Sequence, residues 1–226
     1  MVDYLEAIVD NSAVISAFAE QIDLGTQIPS CPGWTAGDLI FHLASVHRFW
    51  AAAVRERNPG ARPNLVGCDV DDAELLAWAR EQVVSLVDAL AAAGGAPCWT
   101  WWGEPRAADA VARHQVQESV VHCWDIGHAL GRDFEIPTNQ ALDGIAEFVE
   151  LQSTSLEKPV GHHLSFRPTD GADVVTYGDL SLPRIALYGA ASDIVLVMYK
   201  RRPLESLRVD GDVAVTQQWL DCIDLS

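Results

Sequence analysis

His114-Gln115-Val116-Gln117-Glu118-Ser119-Val120-Val121-His122-Cys123-Trp124-Asp125 lies inside a stretch from about Ala107 to Leu130 that predicts one long helix, stopped by Gly131. Val116, Val120, Val121 and Trp124 supply packing surfaces along it. His114, Glu118 and His122 are spaced by four, so they share one helix face, one above the next; Asp125 falls three beyond His122, near that face. A Glu and a His at i and i+4 reach the same point above a helix and can chelate one divalent ion there. The same pair is also an ordinary surface hydrogen bond that needs no metal.

Upstream, the pattern predicts three more helices. The first runs from Asp3 to about Gln21, with Tyr4, Ile8, Ile15 and Phe18 on one stripe. A breaker cluster comes next (Gly25, Pro29, Pro32, Gly33), and then Thr35 as an N-cap with Asp38 three residues on, close to a capping box. That second helix carries Leu39, His42, Leu43, Val46, Phe49, Trp50 and Val54 to about Arg57, where Asn58-Pro59-Gly60 ends it. The third starts at Asp71-Asp72 and closes at Gly94-Gly95. The loop from Pro97 to Pro105 holds Trp99, Trp101 and Trp102. Four helices with such loops suggest a four-helix bundle.

After Pro137 the character changes. A helix from Thr138 to about Ser153 precedes short β-type runs, His163 to Phe166 and Arg184 to Tyr188. Ser192 to Tyr199 reads as either a helix or a buried strand. Leu207 to Asp212 reads as a strand ending in a turn, and Val213 to Ile223 as a closing helix. The expected architecture is a helical bundle over residues 1–145 and a small α+β domain over 146–226.

His42 sits among Leu39, Leu43 and Val46, so it points inward or into a cleft. Alone, it reads as a core histidine satisfied by backbone or water. Taken with Glu118 and His122 it completes a set of two imidazoles and one carboxylate, which leaves an open position of the catalytic zinc type. Asp125 either orients His122 as an acceptor or is a solvated helix residue. His47, five from His42, is expected at the surface. His162 and His163 are adjacent in a strand and face opposite ways, which argues against a shared metal.

Among 226 residues, 15 are basic and 32 acidic, a formal charge of −17 that repels phosphate backbones and anionic lipid. Nucleic acid and membrane are therefore not expected partners; a small-molecule substrate is, with the chain a monomer or homodimer. There is no run of about 18 apolar residues. The N-terminal residues carry no basic start or apolar stretch, so a cytoplasmic location is expected. Cys31, Cys68, Cys98, Cys123 and Cys222 are odd in number and contain no Cys-x-x-Cys pair, which excludes a disulfide framework and a thiolate zinc site and leaves reduced thiols.

Ser30-Cys31-Pro32-Gly33-Trp34-Thr35-x-x-Asp38-Leu39-x-x-His42-Leu43-Ala44 resembles the Cys-Pro-Gly-Trp-Thr-x-x-Asp-Leu-x-x-His-Leu signature of the mycothiol-dependent maleylpyruvate isomerase family, a branch of the DinB-like metal-binding helical bundles. Glu118-x-x-x-His122-x-Trp124-Asp125 is similar to its second signature, Glu-Thr-x-x-His-Arg-Trp-Asp. The run from Asp193 through Arg201-Arg202 to Asp212 resembles that family's sterol-carrier-protein-like C-terminal module. The resemblance implies a DinB-like four-helix bundle followed by a small α+β domain. It implies a divalent metal, usually zinc, at the positions matching His42, Glu118 and His122, with the thiol of mycothiol at the open position. It further implies isomerisation, or S-transfer to a small electrophile.

Two departures stand out: Cys123 replaces a usual Arg, and Gln117 a common His, while His114 sits one turn earlier. On this resemblance Arg201, Arg202 and Asp125 are catalytic candidates, the arginines as partners for a substrate carboxylate or as ordinary surface charges. His114, Trp34 and Trp102 are candidates for holding the thiol cofactor. The tryptophan loop either walls a pocket between the modules or packs on the bundle. Two further readings of the same fold are a thiol-independent metalloenzyme using bound water, as a hydrolase or lyase, and a non-catalytic carrier of metal or small ligand.

Overall fold

The computed structural model describes residues 2–104, 106–132, 134–152, 161–172 and 174–223. It divides into two compact units, Met1–Phe134 and Glu135–Ser226.

The first unit holds four helices: α1 (Tyr4–Ala19), α2 (Ala36–Glu56), α3 (Asp72–Ala93) and α4 (Ala108–Ala129). Local chemistry sets their ends. The Asp3 carboxylate caps α1 by accepting from the Glu6 amide at 3.1 Å. Thr35 and Asp38 form a complete capping box on α2: Thr35 Oγ1 accepts from the Asp38 amide at 3.1 Å, and Asp38 Oδ2 accepts from the Thr35 amide at 2.8 Å. Arg57, at φ 51°, turns the chain out of α2 in the left-handed region.

Ala19 near the end of α1, Ile40 and Leu75 near the starts of α2 and α3, and Ile126 near the end of α4 form one buried cluster. So α1 and α4 run one way, and α2 and α3 the other. The parallel α1–α4 pair is fixed by Asn11, whose Nδ2 donates to Ser119 Oγ at 3.1 Å and whose carbonyl accepts from Cys123 Sγ at 3.1 Å. From Gln115 to Gly127 every residue of α4 except Glu118 is buried. Each fully buried valine or isoleucine there (Val116, Val120, Ile126) contributes about 1.5–3 kcal/mol of transfer free energy.

The second unit holds α5 (Thr138–Gln152), β1 (His163–Pro168), β2 (Val175–Tyr177), β3 (Arg184–Gly189), α6 (Ala191–Met198), β4 (Arg208–Asp210) and α7 (Val213–Asp221). The sheet order is β2-β1-β3-β4. β1 and β3 are parallel, with Ser165 opposite Ala186, and the outer strands pair antiparallel. Leu164, Phe166, Ile185 and Leu187 are fully buried, and Phe166 and Tyr177 pack on Trp219 of α7.

The structure bears on two expectations and adds a short strand. The stretch from Ser192 falls in helix α6 (Ala191–Met198), whose first amide (Ala191) donates to Asp170 Oδ1 at 2.8 Å; burial of all but Asp193 hides its period. β2 is too short to leave a sequence pattern. The division at Phe134 puts all of α5 in the second unit, whereas a boundary at 145 would cut that helix. Ile145 and Phe148 are fully buried, and Phe148 meets Tyr199, just past the end of α6, at 5.1 Å, which ties α5 to α6. Among the described residues, no helix is long and apolar enough to cross a membrane.

Candidate metal centre

The capping box at Thr35 sets where α2 begins, and so places His42 two turns in, at the edge of its buried face. Opposite it, α4 presents Glu118. Nε2 of His42 lies 3.0 Å from Glu118 Oε1, and Nε2 of His122 lies 3.5 Å from the same oxygen. One donor atom from each of the three residues falls within 4.8 Å of the others. Exposure is graded: the side chains of His42, Glu118 and His122 are 36%, 22% and 9% exposed, so the group opens on the His42 side.

The inner imidazole is oriented from behind. His122 Nδ1 lies 2.8 Å from Oδ2 of the wholly buried Asp125. A carboxylate there accepts a hydrogen bond from Nδ1–H, which turns Nε2 toward Glu118. The turn before α2 adds two contacts. Cys31 Sγ donates to the same Asp125 Oδ2 at 3.4 Å. The Trp34 ring covers His42 at 4.7 Å and His122 at 6.4 Å between centroids. That turn is closed by Cys31 N–H to the Ile28 carbonyl and Trp34 N–H to the Cys31 carbonyl, each at 3.0 Å, with Gly33 at φ 86°.

Burial works against ionising Glu118, but hydrogen bonds from His122 and His42, and their charge, hold its carboxyl well below the usual range. Burial likewise opposes a charged His122, yet Asp125, Cys31 and Glu118 together lift its imidazole well above the ordinary value. His122 Nε2 and Glu118 Oε1 thus face each other, 3.5 Å apart, across the place that a cation would take. Two borderline imidazole nitrogens and one hard carboxylate oxygen make a donor set that zinc accepts, so these residues fit the ion.

Residues 5–127, more than half of the chain, match the family of the mycothiol maleylpyruvate isomerase N-terminal domain. The chain belongs to this family. Two uncharacterised Mycobacterium tuberculosis proteins, from strains CDC 1551 and H37Rv, are each 28% identical over 222 residues, covering 84% of this chain and 80% of theirs. Crystal structures of the mycothiol-dependent maleylpyruvate isomerase and of a point mutant of it superpose with TM-score 0.71, covering 93% of both chains. Their identity is 16% and 15%, so that likeness speaks for the fold.

The remaining candidates of this family member fall into three places. His114 shares the face of Glu118 but does not join its group. Its ring is enclosed by Trp102, Trp101 and Trp50 at 5.1, 5.8 and 6.2 Å. Trp102 is buried against Trp50, while Trp101 stays 47% exposed. In the second unit, Arg202 pairs with Asp193, and Arg201 Nη1 donates to the Tyr199 carbonyl at 3.0 Å. Cys123, where the family signature has Arg, is a core residue with Ile15 and Leu43, and burial pushes its thiol up. A second group of three donors, Cys31, His122 and Asp125, also lies within 4.8 Å.

His47 corrects the sequence reading. It is 1% exposed rather than on the surface, and among the described residues neither ring nitrogen has a hydrogen-bond partner. Burial drops its pKa to about 4; Glu118 opposes the drop and the charges of His122 and His42 add to it. The signal was available: Leu43, His47, Trp50 and Val54 repeat at four, three and four, the stripe of a core face. Gln115, fully buried and with neither amide atom partnered among the described residues, carries no such signal.

Proposed function

We propose that this protein is a metal-dependent enzyme that activates mycothiol for isomerisation, or for S-transfer to a small electrophile. The observation that carries this reading is the convergence of His42 Nε2 and His122 Nε2 on one oxygen of Glu118. Membership of the family and the fold shared with a mycothiol-dependent maleylpyruvate isomerase support it.

In this reading His42, Glu118 and His122 hold a zinc ion. When bound, zinc supplies a Lewis acid beside which a thiol loses its proton near neutral pH. The chain's own residues do the rest. Glu118 keeps a negative charge in a partly buried setting. Asp125 accepts a hydrogen bond from Nδ1–H of His122 and keeps Nε2 turned to the centre. Trp34 lies over both imidazoles and keeps water from that side, while the more exposed His42 marks the side from which ligands arrive. One turn before Glu118 on α4, about 6 Å along the axis, His114 with Trp101 and Trp102 offers an aromatic surface for the non-reacting part of the thiol.

The test is metal analysis of the purified protein followed by cobalt substitution. One equivalent of metal is expected in the wild type and little in His42→Ala. Mycothiol added to the cobalt form is expected to give a thiolate-to-cobalt charge-transfer band, and maleylpyruvate is the first substrate to assay. A metal-free wild type would sink the centre. A cobalt protein with no new band would keep the centre and remove the thiol.

A further inference from the structure

Asp125 Oδ2 is shared. It faces His122 Nδ1 at 2.8 Å and accepts the Cys31 S–H at 3.4 Å, inside a pocket where Asp125 is wholly buried and Cys31 is 9% exposed. A buried carboxylate on a short side chain has one torsion that decides whether its oxygen lies in line with the ring N–H. A second donor on the same oxygen narrows that torsion. Cys31 is buried and its backbone is held by hydrogen bonds on both sides of its turn, which limits where its sulfur can sit.

We propose that Cys31 is a positioning residue for His122, acting through Asp125. Its S–H pins Oδ2 in the orientation that turns His122 Nε2 toward Glu118 and His42. The proposal rests on the reading of His42, Glu118 and His122 as a metal centre, and it adds a role for a thiol outside that set of three. The sequence places Cys31 three residues before Trp34, so one turn supplies both the ring that covers the imidazoles and the sulfur that orients one of them.

The experiment compares wild type with Cys31→Val and Cys31→Ser. Valine keeps the apolar volume and removes the donor; serine keeps a donor. Zinc affinity is measured by chelator competition, and the Nδ1–H signal of His122 by 15N-histidine NMR on the zinc-loaded proteins. Cys31→Val is expected to bind zinc about tenfold more weakly, in the range for loss of a partner behind a ligand, and to shift the His122 signal. Cys31→Ser is expected to stay within about threefold of wild type with its signal retained. A Cys31→Val protein with unchanged affinity and signal overturns the proposal and leaves the metal centre standing, as does a serine variant as weak as valine. If the valine variant does not fold, Cys31→Ala takes its place under the same criteria. In the cobalt form without added thiol, a sulfur-to-cobalt band would make Cys31 a ligand and overturn the positioning role. A wild type that binds neither zinc nor cobalt overturns the underlying reading instead.

Discussion

Two clusters sit on the same face of α4, one turn apart. Around Glu118 the neighbours are two imidazoles, one of them backed by a buried aspartate; around His114 they are three indoles. In the sequence the two positions are equivalent members of a His-x-x-x-Glu-x-x-x-His repeat. What separates them is the partner helix. α2 runs antiparallel to α4, so His42 meets Glu118 while Trp50, two turns further along, meets His114. Helical spacing decides which residues share a face, and the register of the facing helix decides their chemistry.

Stability and metal affinity should part between the two clusters. Trp102→Ala, which empties a buried aromatic site, is expected to cost about 3–5 kcal/mol of unfolding free energy while zinc affinity stays within about threefold; urea denaturation and chelator competition read the two. Glu118→Gln should do the reverse. It removes the oxygen on which both imidazoles converge and is expected to weaken zinc binding about a hundredfold, about 2.7 kcal/mol, with the metal-free protein unfolding within about 1 kcal/mol of wild type. An equal effect of both variants on both measurements would erase the distinction.

His47 lies between the two clusters along α2 and belongs to neither. Its folded-state pKa is depressed to about 4 from 6.5. Below pH 6.5 the unfolded chain therefore takes up a proton that the folded protein refuses, and stability falls as pH drops toward 4. Between pH 6.5 and 5 that difference amounts to about 2 kcal/mol. His47→Leu is expected to remove this slope in metal-free protein, seen as a widening gap in urea midpoint between variant and wild type as pH is lowered. The smallest effect belongs to the cap that sets the register of α2. Thr35→Ala should cost about 1 kcal/mol and shift zinc affinity only slightly, measured by thermal denaturation.

Much of the bundle was legible in the sequence because its helices are amphipathic and punctuated: the Thr35–Asp38 box and Gly131 mark ends where the structure has them. α4 was legible as a helix but not as a buried one. Burial on every side leaves no polar stripe, so whether Asp125 faces solvent or His122 could not be told from spacing. The same loss of contrast hid α6. His47 was misplaced for another reason. Its offset of five from His42 turns it away from that residue, but its place in the Leu43–Val54 stripe puts it in the core. The C-terminal arginines could be named but not ranked, since sequence does not reveal that Asp193 pairs with Arg202.

His42 and Glu118 are 76 residues apart in the chain, on helices that are joined through α3. A cation gripped by both is therefore also a cross-link, closing a long loop as a disulfide does in oxidising surroundings. On the proposed reading, each tenfold excess of free ion over its dissociation constant adds about 1.4 kcal/mol to the folded state, so metal starvation would shorten the protein's lifetime.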